Sequence, residues 1–268
     1  MRISIVTISF NQAQFLEEAI CSVLDQDYHD VEYIVVDPGS TDGSREIIEK
    51  YRSRISKVIL DSDFGPADGL NKGFAVATGE IFGFLNSDDV LEKGALSSVV
   101  YYFDKFPLID VISGNTFIVD SNGHLIRRFF SDRYSIWMAA HHAAILSQAS
   151  TFFRSKSYLN AGGFNIKNRI AWDGELYLDM ALSGARFACA TEFWSKFRIH
   201  QEGITGSGKL DNLYSDYYDH IFTKVMGRSP TKLDRALTFL ARFIRKIKNP
   251  SDTKERLFYG PIYRASST

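Results

Sequence analysis

Two acidic clusters sit where runs of β-branched and aromatic residues stop. VVDPGSTDG carries Asp37 at the end of one run and continues to Asp42, while FLNSDD carries Asp88 and Asp89 at the end of another. Each run has the make-up of a buried strand, so each cluster marks a strand end. In an open α/β sheet the ligand crevice lies outside the carboxyl ends of the parallel strands. Carboxylates gathered there repel one another unless a cation or hydrogen-bond donors offset them, and a divalent ion, Mg2+ or Mn2+, does so economically. An architectural role stays open for each cluster taken singly: Ser87, Asp88 or Asp89 suit the cap of a helix starting near Lys93, and Thr41 or Asp42 that of a helix after the second strand. Together they favour function.

The elements that would place these carboxylates follow from periodicity. ISIVTIS leads to a helix over 11–25, and VEYIVVD to a helix over 44–51. VIL at 58–60 precedes a helix over 66–77, and IFGFL at 81–85 precedes one over 93–106. Phe15, Leu16, Ala19, Ile20, Val23 and Leu24 fall on one stripe of the first helix, as in a helix laid on a sheet. Strands alternating with helices imply right-handed crossovers and a mostly parallel sheet. After about residue 110 the rhythm changes: VISGNTFIVD and HLIRRFF flank Ser121, Asn122 and Gly123, a hairpin-like signal, and STFFRS follows, so antiparallel strands join the sheet. A helix over 173–183 leads through Gly184 into RFACA and SKFRIH. GITGSGKL at 203–210 is a composition break and a plausible end of the main domain. The fold class is therefore α/β with a mixed, mostly parallel central sheet and a helical C-terminal extension.

Composition narrows the functions. The 268 residues carry a net charge of −1, which gives no pull toward nucleic acid. The first strand is followed by SFNQAQF, and neither GxGxxG nor GxxxxGK[ST] occurs, which removes a dinucleotide site and a phosphate loop. The glycine-rich basic stretch with which nucleotidyltransferases hold a triphosphate is also missing from the first loop. MRISIVTISF is interrupted too soon by Asn11 and Gln12 to serve as a secretory segment, and no apolar run reaches spanning length, so a cytoplasmic protein is expected. Cys21 and Cys189 lack metal or redox spacing and read as reduced packing residues. Between Thr231 and Lys248 the residues Leu233, Ala236, Leu237, Leu240, Phe243, Ile244 and Ile247 form a 3-4 stripe, with Lys232, Arg235, Arg242, Arg245, Lys246 and Lys248 opposed only by Asp234. Such a helix suits an anionic membrane surface. Packing of the stripe on the helix's own domain is the equal alternative.

The ordered set TISFNQAQFLEEAICSVLDQDY, VVDPGSTDGS, DFGPADGLNKGFAVATGEIFGFLNSDD and GGFNIKNRIAWDGELYLDMALSG resembles family 2 glycosyltransferases, inverting enzymes of the GT-A fold. The resemblance covers about residues 1–205 and leaves 206–268 as the helical extension with its basic amphipathic helix. It implies that Asp37 reads the donor's uracil or other base and that Thr7 and Phe10 line the nucleoside pocket. Asp68 and Lys72 would lie over the nucleotide and its phosphates, with Asn86 and Ser87 also on the donor. Asp88 would ligate the metal as the last acid of a DxD-like motif. The pattern departs from that of many members at Pro38 and Asn86, where they carry acids; an Asn amide can bind a ribose or a metal-bound water but adds no charge.

Glycosyl transfer from a nucleoside diphosphate leaves negative charge on the departing diphosphate, which a metal held by Asp88 would neutralise. The acceptor hydroxyl must lose a proton, and Asp173, at the start of a helix where the resembling enzymes carry their base, is the candidate. A plain N-cap is its other reading, Glu175 is a neighbouring substitute, and the helix dipole would tend to keep Asp173 ionised. His200 could reach the metal or diphosphate, or be an ordinary surface His. His142 and Gln148 precede the stretch where similar enzymes approach the acceptor, His141 and His142 being otherwise plain loop residues, and Trp172 offers a flat face to a sugar or packs in the core. The expected function is transfer of a sugar from a nucleotide-sugar donor, UDP-linked by expectation, to a hydroxyl of a glycan or lipid-linked glycan in cell-surface polysaccharide synthesis, at the inner face of the membrane. A polyprenol-phosphate sugar synthase and a catalytically silent sugar-nucleotide-binding module are the alternatives.

Overall fold

A computed structural model describes residues 1–201, 203 and 213–260. Its first half is the expected alternation: β1 (Ile3–Ile8), α1 (Ala13–Leu24), β2 (Val31–Val36), α2 (Ser44–Lys50), β3 (Lys57–Ile59), α3 (Pro66–Ala75), β4 (Ile81–Asn86), the short β5 (Val90–Leu91) and α4 (Ala95–Lys105). β1 pairs in parallel with both β2 and β4, and β2 with β3. The carboxyl ends of β1, β2 and β4 therefore lie side by side, which brings Ser9, Asp37 and Asn86 to one edge.

The second half supplies β6 (Val111–Val119), β7 (Leu125–Phe129), α5 (Ile136–Ala140), β8 (Thr151–Arg154), α6 (Ser155–Ala161), α7 (Trp172–Leu182), β9 (Phe187–Arg198), and the helices α8 (Tyr214–Met226), α9 (Lys232–Lys248) and α10 (Pro250–Tyr259). The nine-stranded sheet runs β3-β2-β1-β4-β8-β6-β9-β5, with β7 on β6. β8 is antiparallel to β4 and β6, and β6–β7 form the expected hairpin. RFACA and SKFRIH, set apart in the sequence reading, are one twelve-residue strand parallel to β6. Nothing between them breaks a strand, and irregular pairing around Gly114 absorbs the mismatch. A Cβ on Gly114 would stand 2.5 Å from the Trp194 ring, so the glycine lets that indole lie on the backbone of β6.

Apolar side chains cover both faces of the sheet. Ile3 and Ile5 meet Leu16 and Ile20 of α1 and Leu96 and Val99 of α4 on one side. Val6, Ile34 and Val36 meet Leu70 and Phe74 of α3 and Leu176 of α7 on the other. This is period-two alternation in strands buried on both faces. The C-terminal helices pack on the same body: Ala241 of α9 meets Met138 and Ala143, and Glu255 of α10 accepts the Arg128 backbone N–H. Among the described residues no helix is long and apolar enough to cross a membrane. Both cysteines are free.

Candidate active site

Beyond the ends of β1, β2 and β4 opens a cavity of about 550 Å³, lined by Ser9, Phe10, Gln12, Pro38, Asp63, Asn86, Ser87, Asp88, Trp172, Arg198 and His200 among others. Phe10 is 61% exposed at its rim, as a flat apolar face awaiting a ring would be. Asp37 lies fully buried beneath Pro38 at the end of β2. Its Oδ1 accepts the N–H groups of Gly39 and Ser40 and the Arg45 Nε at 3.1 Å. Its Oδ2 is buried with no partner among the described residues, as are Ser9 Oγ, Gln12 Oε1 and Asn86 Oδ1. A buried polar atom left unpaired costs on the order of 1–3 kcal/mol. Several of them around one cavity imply a polar ligand that pairs with them.

Asp88 is held from behind. Arg198, almost fully buried, donates from Nε to the Asp88 carbonyl at 3.0 Å, from its backbone N–H to Asp89 Oδ1 at 3.0 Å, and from Nη2 to Glu18 at 2.6 Å. The Asp88 carboxylate meets His200 Nε2 at 3.0 Å through Oδ2, and the His200 ring packs on Phe15. Burial, reinforced by the neighbouring Asp88 charge, pushes the Asp89 carboxyl well above the usual carboxylate range. Asp89 is thus a buried acceptor for the Arg198 backbone N–H, and Asp88 lines the cavity. Among the described residues no three His, Cys, Asp or Glu side chains gather as a metal cage. A Mg2+ or Mn2+ ion held by one carboxylate, with substrate phosphates completing its shell, needs no such cage. Asp88, with a hard oxygen turned to the cavity and His200 against it, fits that mode of binding.

A second cavity, of about 310 Å³, shares Asn86, Trp172 and Phe197 with the first and holds Asp173, Gln148, Ile118, Phe129, Ile145, Leu146 and Tyr214 in its walls. Asn86 Nδ2 donates to Gln148 Oε1 at 3.1 Å, and Gln148 Nε2 to the Phe84 carbonyl, which pins the partition between the cavities. Trp172 packs on Phe84 and Phe164, as its core reading has it, and also lines both cavities. Asp173 stands in the first turn of α7, whose N-cap is Ala171, so it is not the cap. Burial pushes its carboxyl above the ordinary value despite the N–H groups of Gly174 and Asp173 itself. The helix terminus is expected to favour the ionised form, but the desolvation of the carboxyl outweighs it in the direction of the shift.

Several expected contacts fall elsewhere. Thr7 shares the face of β1 that carries Ile3 and Ile5, and its hydroxyl accepts from Tyr33 in the core; its neighbours Ile8 and Ser9 line the cavity instead. Asp68 and Lys72 do not line it. Asp68 Oδ2 accepts the Phe64 N–H at 3.0 Å and pairs with Lys72, whose ammonium donates to the Ser62 carbonyl. Together they brace the loop that brings Ser62 and Asp63 to the cavity wall. His142 lines neither cavity, because a backbone φ of 53° turns its ring onto Tyr218 at 3.9 Å. Burial, with the Arg242 and His141 charges, pushes it down to about 4. Glu175 is no stand-in for Asp173: it is buried among Asn165, Asn168, His220 and Lys224. Asp63 and Arg198 are the additions that sequence reasoning missed. Burial raises the Asp63 carboxyl, opposed by Lys72. DSDFG offered Asp61 and Asp63 alike, and only the turn in which Asp63 Oδ1 caps the Gly65 N–H sets which one enters.

Residues 4–159, more than half of the chain, match the family model described as glycosyl transferase family 2. The chain belongs to glycosyl transferase family 2. Among curated relatives of this family 2 chain, it is 39% identical over 97 residues (35% of this chain, 38% of the relative) to a putative teichuronic acid biosynthesis glycosyltransferase of Bacillus subtilis. It is 33% identical over 103 residues (37% and 33%) to the GalNAc(5)-diNAcBac-PP-undecaprenol beta-1,3-glucosyltransferase of Campylobacter jejuni. The matched stretch is thus well under half the length of either relative. In fold, it superposes with a TM-score of 0.68 and 17% identity on S. aureus TarS 1-349 in complex with UDP-GlcNAc, covering 96% of this chain and 75% of that one. The Pyrobaculum calidifontis mannosyltransferase PcManGT in complex with GDP-Man and Mn2+ gives 0.65 and 18%, over 98% and 73%. The fold of the family 2 chain is GT-A, a mixed α/β sheet with a helical C-terminal part.

Proposed function

We propose that this chain is an inverting, metal-dependent glycosyltransferase that moves a sugar from a UDP-linked donor to a hydroxyl of a lipid-linked glycan in surface polysaccharide synthesis, at the cytoplasmic face of the membrane. The observation that carries the reading is the unpaired set of Asn86 Oδ1, Ser9 Oγ and Gln12 Oε1 around one cavity that shares walls with the chamber holding Asp173, with Asp37 Oδ2 also unpaired next in the chain to the lining residue Pro38. The UDP-GlcNAc complex of TarS and the teichuronic acid relative support the choice of donor and pathway class.

The roles follow from what each group can do. Asp37 Oδ2, an acceptor held rigid by Arg45 on the other oxygen, takes the imide N–H of a uracil while Phe10 covers the base. Ser9, Gln12 and Asn86 pair with ribose or sugar hydroxyls. Asp88, oriented by His200 and Arg198, holds the divalent ion, which when bound supplies charge neutralisation for the leaving diphosphate. Asp173 takes the proton of the acceptor hydroxyl, and its raised pKa makes it a stronger base than a solvated carboxylate. Trp172 and Phe197, in both walls, keep water from the path between donor and acceptor. Among the described residues lining the second cavity none is basic, and Ile118, Phe129, Ile145 and Leu146 make it apolar. That lining favours a neutral hydroxyl on an amphiphilic acceptor over a polyprenol phosphate.

Release of UDP from a panel of UDP-sugars with Mn2+ or Mg2+ tests the reading. Slow hydrolysis that needs the metal and vanishes in Asp88→Ala supports an enzyme. Binding without turnover across donors and acceptors would leave a silent sugar-nucleotide module.

A further inference from the structure

α9 is turned inside out relative to the usual helix on a protein surface. Its buried positions are Asp234, Ala241 and Arg245, while Phe239, Phe243 and Ile247 are 73%, 59% and 64% exposed. Leu233 and Leu240 complete the outward stripe, so of the two arrangements open to the sequence, packing of the stripe on its own domain is the one the structure does not adopt. An ionic cluster holds the helix this way. Arg245 bonds to Asp132 and Asp252, Asp252 also meets Arg256 and Arg127, and Asn249 reaches Asp132 and the Phe130 carbonyl. A buried set of paired charges of this kind fixes one orientation, since rotating the helix would strand Arg245, Asp132 and Asp252.

The acids of α9 and α10 are all consumed in this inward set. Asp234 is bound by Arg228 and Thr231, Asp252 as above, and Glu255 by Arg128. The outward side therefore carries only cations: Lys232, Arg235, Arg242, Lys246, Lys248 and Lys254 are exposed. On α10, Leu257 and Phe258 are 79% and 80% exposed beside them. An apolar stripe flanked by unopposed Lys and Arg matches the acyl and headgroup layers of an anionic bilayer, whereas a soluble helix pays to expose it.

We propose that α9 and α10 form a rigid docking face for an anionic lipid bilayer. The proposal rests on the glycosyltransferase reading only for its purpose, bringing the second cavity to a lipid-borne acceptor. The link between face and cavity is short: the Asp132 carboxylate that binds Arg245 also accepts the backbone N–H of Ile145, a residue of the cavity wall.

The test is flotation of the full chain with vesicles of phosphatidylcholine, with and without about one-third phosphatidylglycerol, without donor or acceptor. The expected result is flotation with the anionic vesicles alone, falling roughly tenfold or more in Phe243→Glu and in the Arg242→Glu/Lys246→Glu pair, and weakening as salt rises. These positions are exposed, so both variants keep the native circular dichroism and UDP binding. Absence of flotation with anionic vesicles overturns the proposal, as does flotation that neither variant changes. A dimer in sedimentation velocity that Phe243→Glu dissolves would also overturn it, giving the face to a second copy. Vesicle binding is read without turnover, so a failed glycosyltransferase assay leaves its outcome standing, and the reverse.

Discussion

His200 Nε2 and Asp88 Oδ2 meet at 3.0 Å, although 112 residues separate them in the chain. The contact closes the strand-end crevice from opposite sides, β4 delivering the carboxylate and the end of β9 the imidazole. Asp88→Asn keeps the shape and removes the charge. Loss of kcat/KM on the order of 10²–10³-fold is expected, the scale of removing one electrostatic stabiliser of a transition state. His200→Gln, which replaces the ring that contacts Asp88 in the cavity wall, is expected to cost roughly 10–100-fold and to raise the metal concentration needed for half-maximal activity. Steady-state kinetics across a Mn2+ titration reads both.

Asp173 carries a pH prediction whose sign follows from its role. The proposed base acts ionised and burial raises its pKa, so kcat/KM is expected to fall as pH drops through a value above the ordinary carboxylate range of about 4. Asp173→Asn removes that acid limb and costs roughly 10²–10⁴-fold in kcat with UDP affinity unchanged. Stability moves the other way. A carboxyl raised in the folded state disfavours folding above its folded pKa, and that penalty shrinks as pH falls through the folded pKa and is gone below the unfolded value, so the Asn variant is at least as stable as the native chain at neutral pH. Thermal melts at neutral and acid pH check this.

Asp37 keeps one unpaired acceptor oxygen, the proposed reader of the nucleotide base. Asp37→Ala removes it and leaves Arg45 without its carboxylate partner. Loss of a charged hydrogen bond of about 1.5–3 kcal/mol lowers UDP affinity by roughly 10- to 150-fold, measured by calorimetry. His142→Phe, in contrast, keeps an aromatic ring against Tyr218 away from both cavities, and acceptor KM is expected within about twofold of native.

Arg245 tests the architecture. Arg245→Ala leaves Asp132 and Asp252 buried without their shared cation, a change of the kind that costs about 3–5 kcal/mol. Chemical denaturation of the variant reads the loss, with α9 the first element to lose amide-exchange protection.

The parallel half of the sheet was legible because its strands and helices differ in period: 2 in ISIVTIS, 3.6 in the stripe from Phe15 to Leu24. The hairpin at Ser121 to Gly123 was legible from its turn residues. Phe10, Asn86, Ser87, Asp88, Trp172 and His200 all border the first cavity, since a strand-end loop must open there, while Asp37 lies buried next to the lining residue Pro38. Thr7 was misplaced by a single residue of alternation, Asp68 and Lys72 by one bend of a loop, and His142 by one positive φ.

By itself, then, the order of residues determined the alternating strands and helices, the edge of the sheet at which carboxylates gather, and the family. Local periodicity and turn chemistry act over a few residues and are written in the chain. Tertiary structure alone decided which carboxylates are buried and raised in pKa, as Asp89 is, that the cavity holding Asp173 shares walls with the one at the strand ends, and that α9 turns its ions inward and its apolar stripe outward. Those outcomes depend on desolvation and on partners more than a hundred residues away, such as Asp132 for Arg245, and neither is a property of a sequence window.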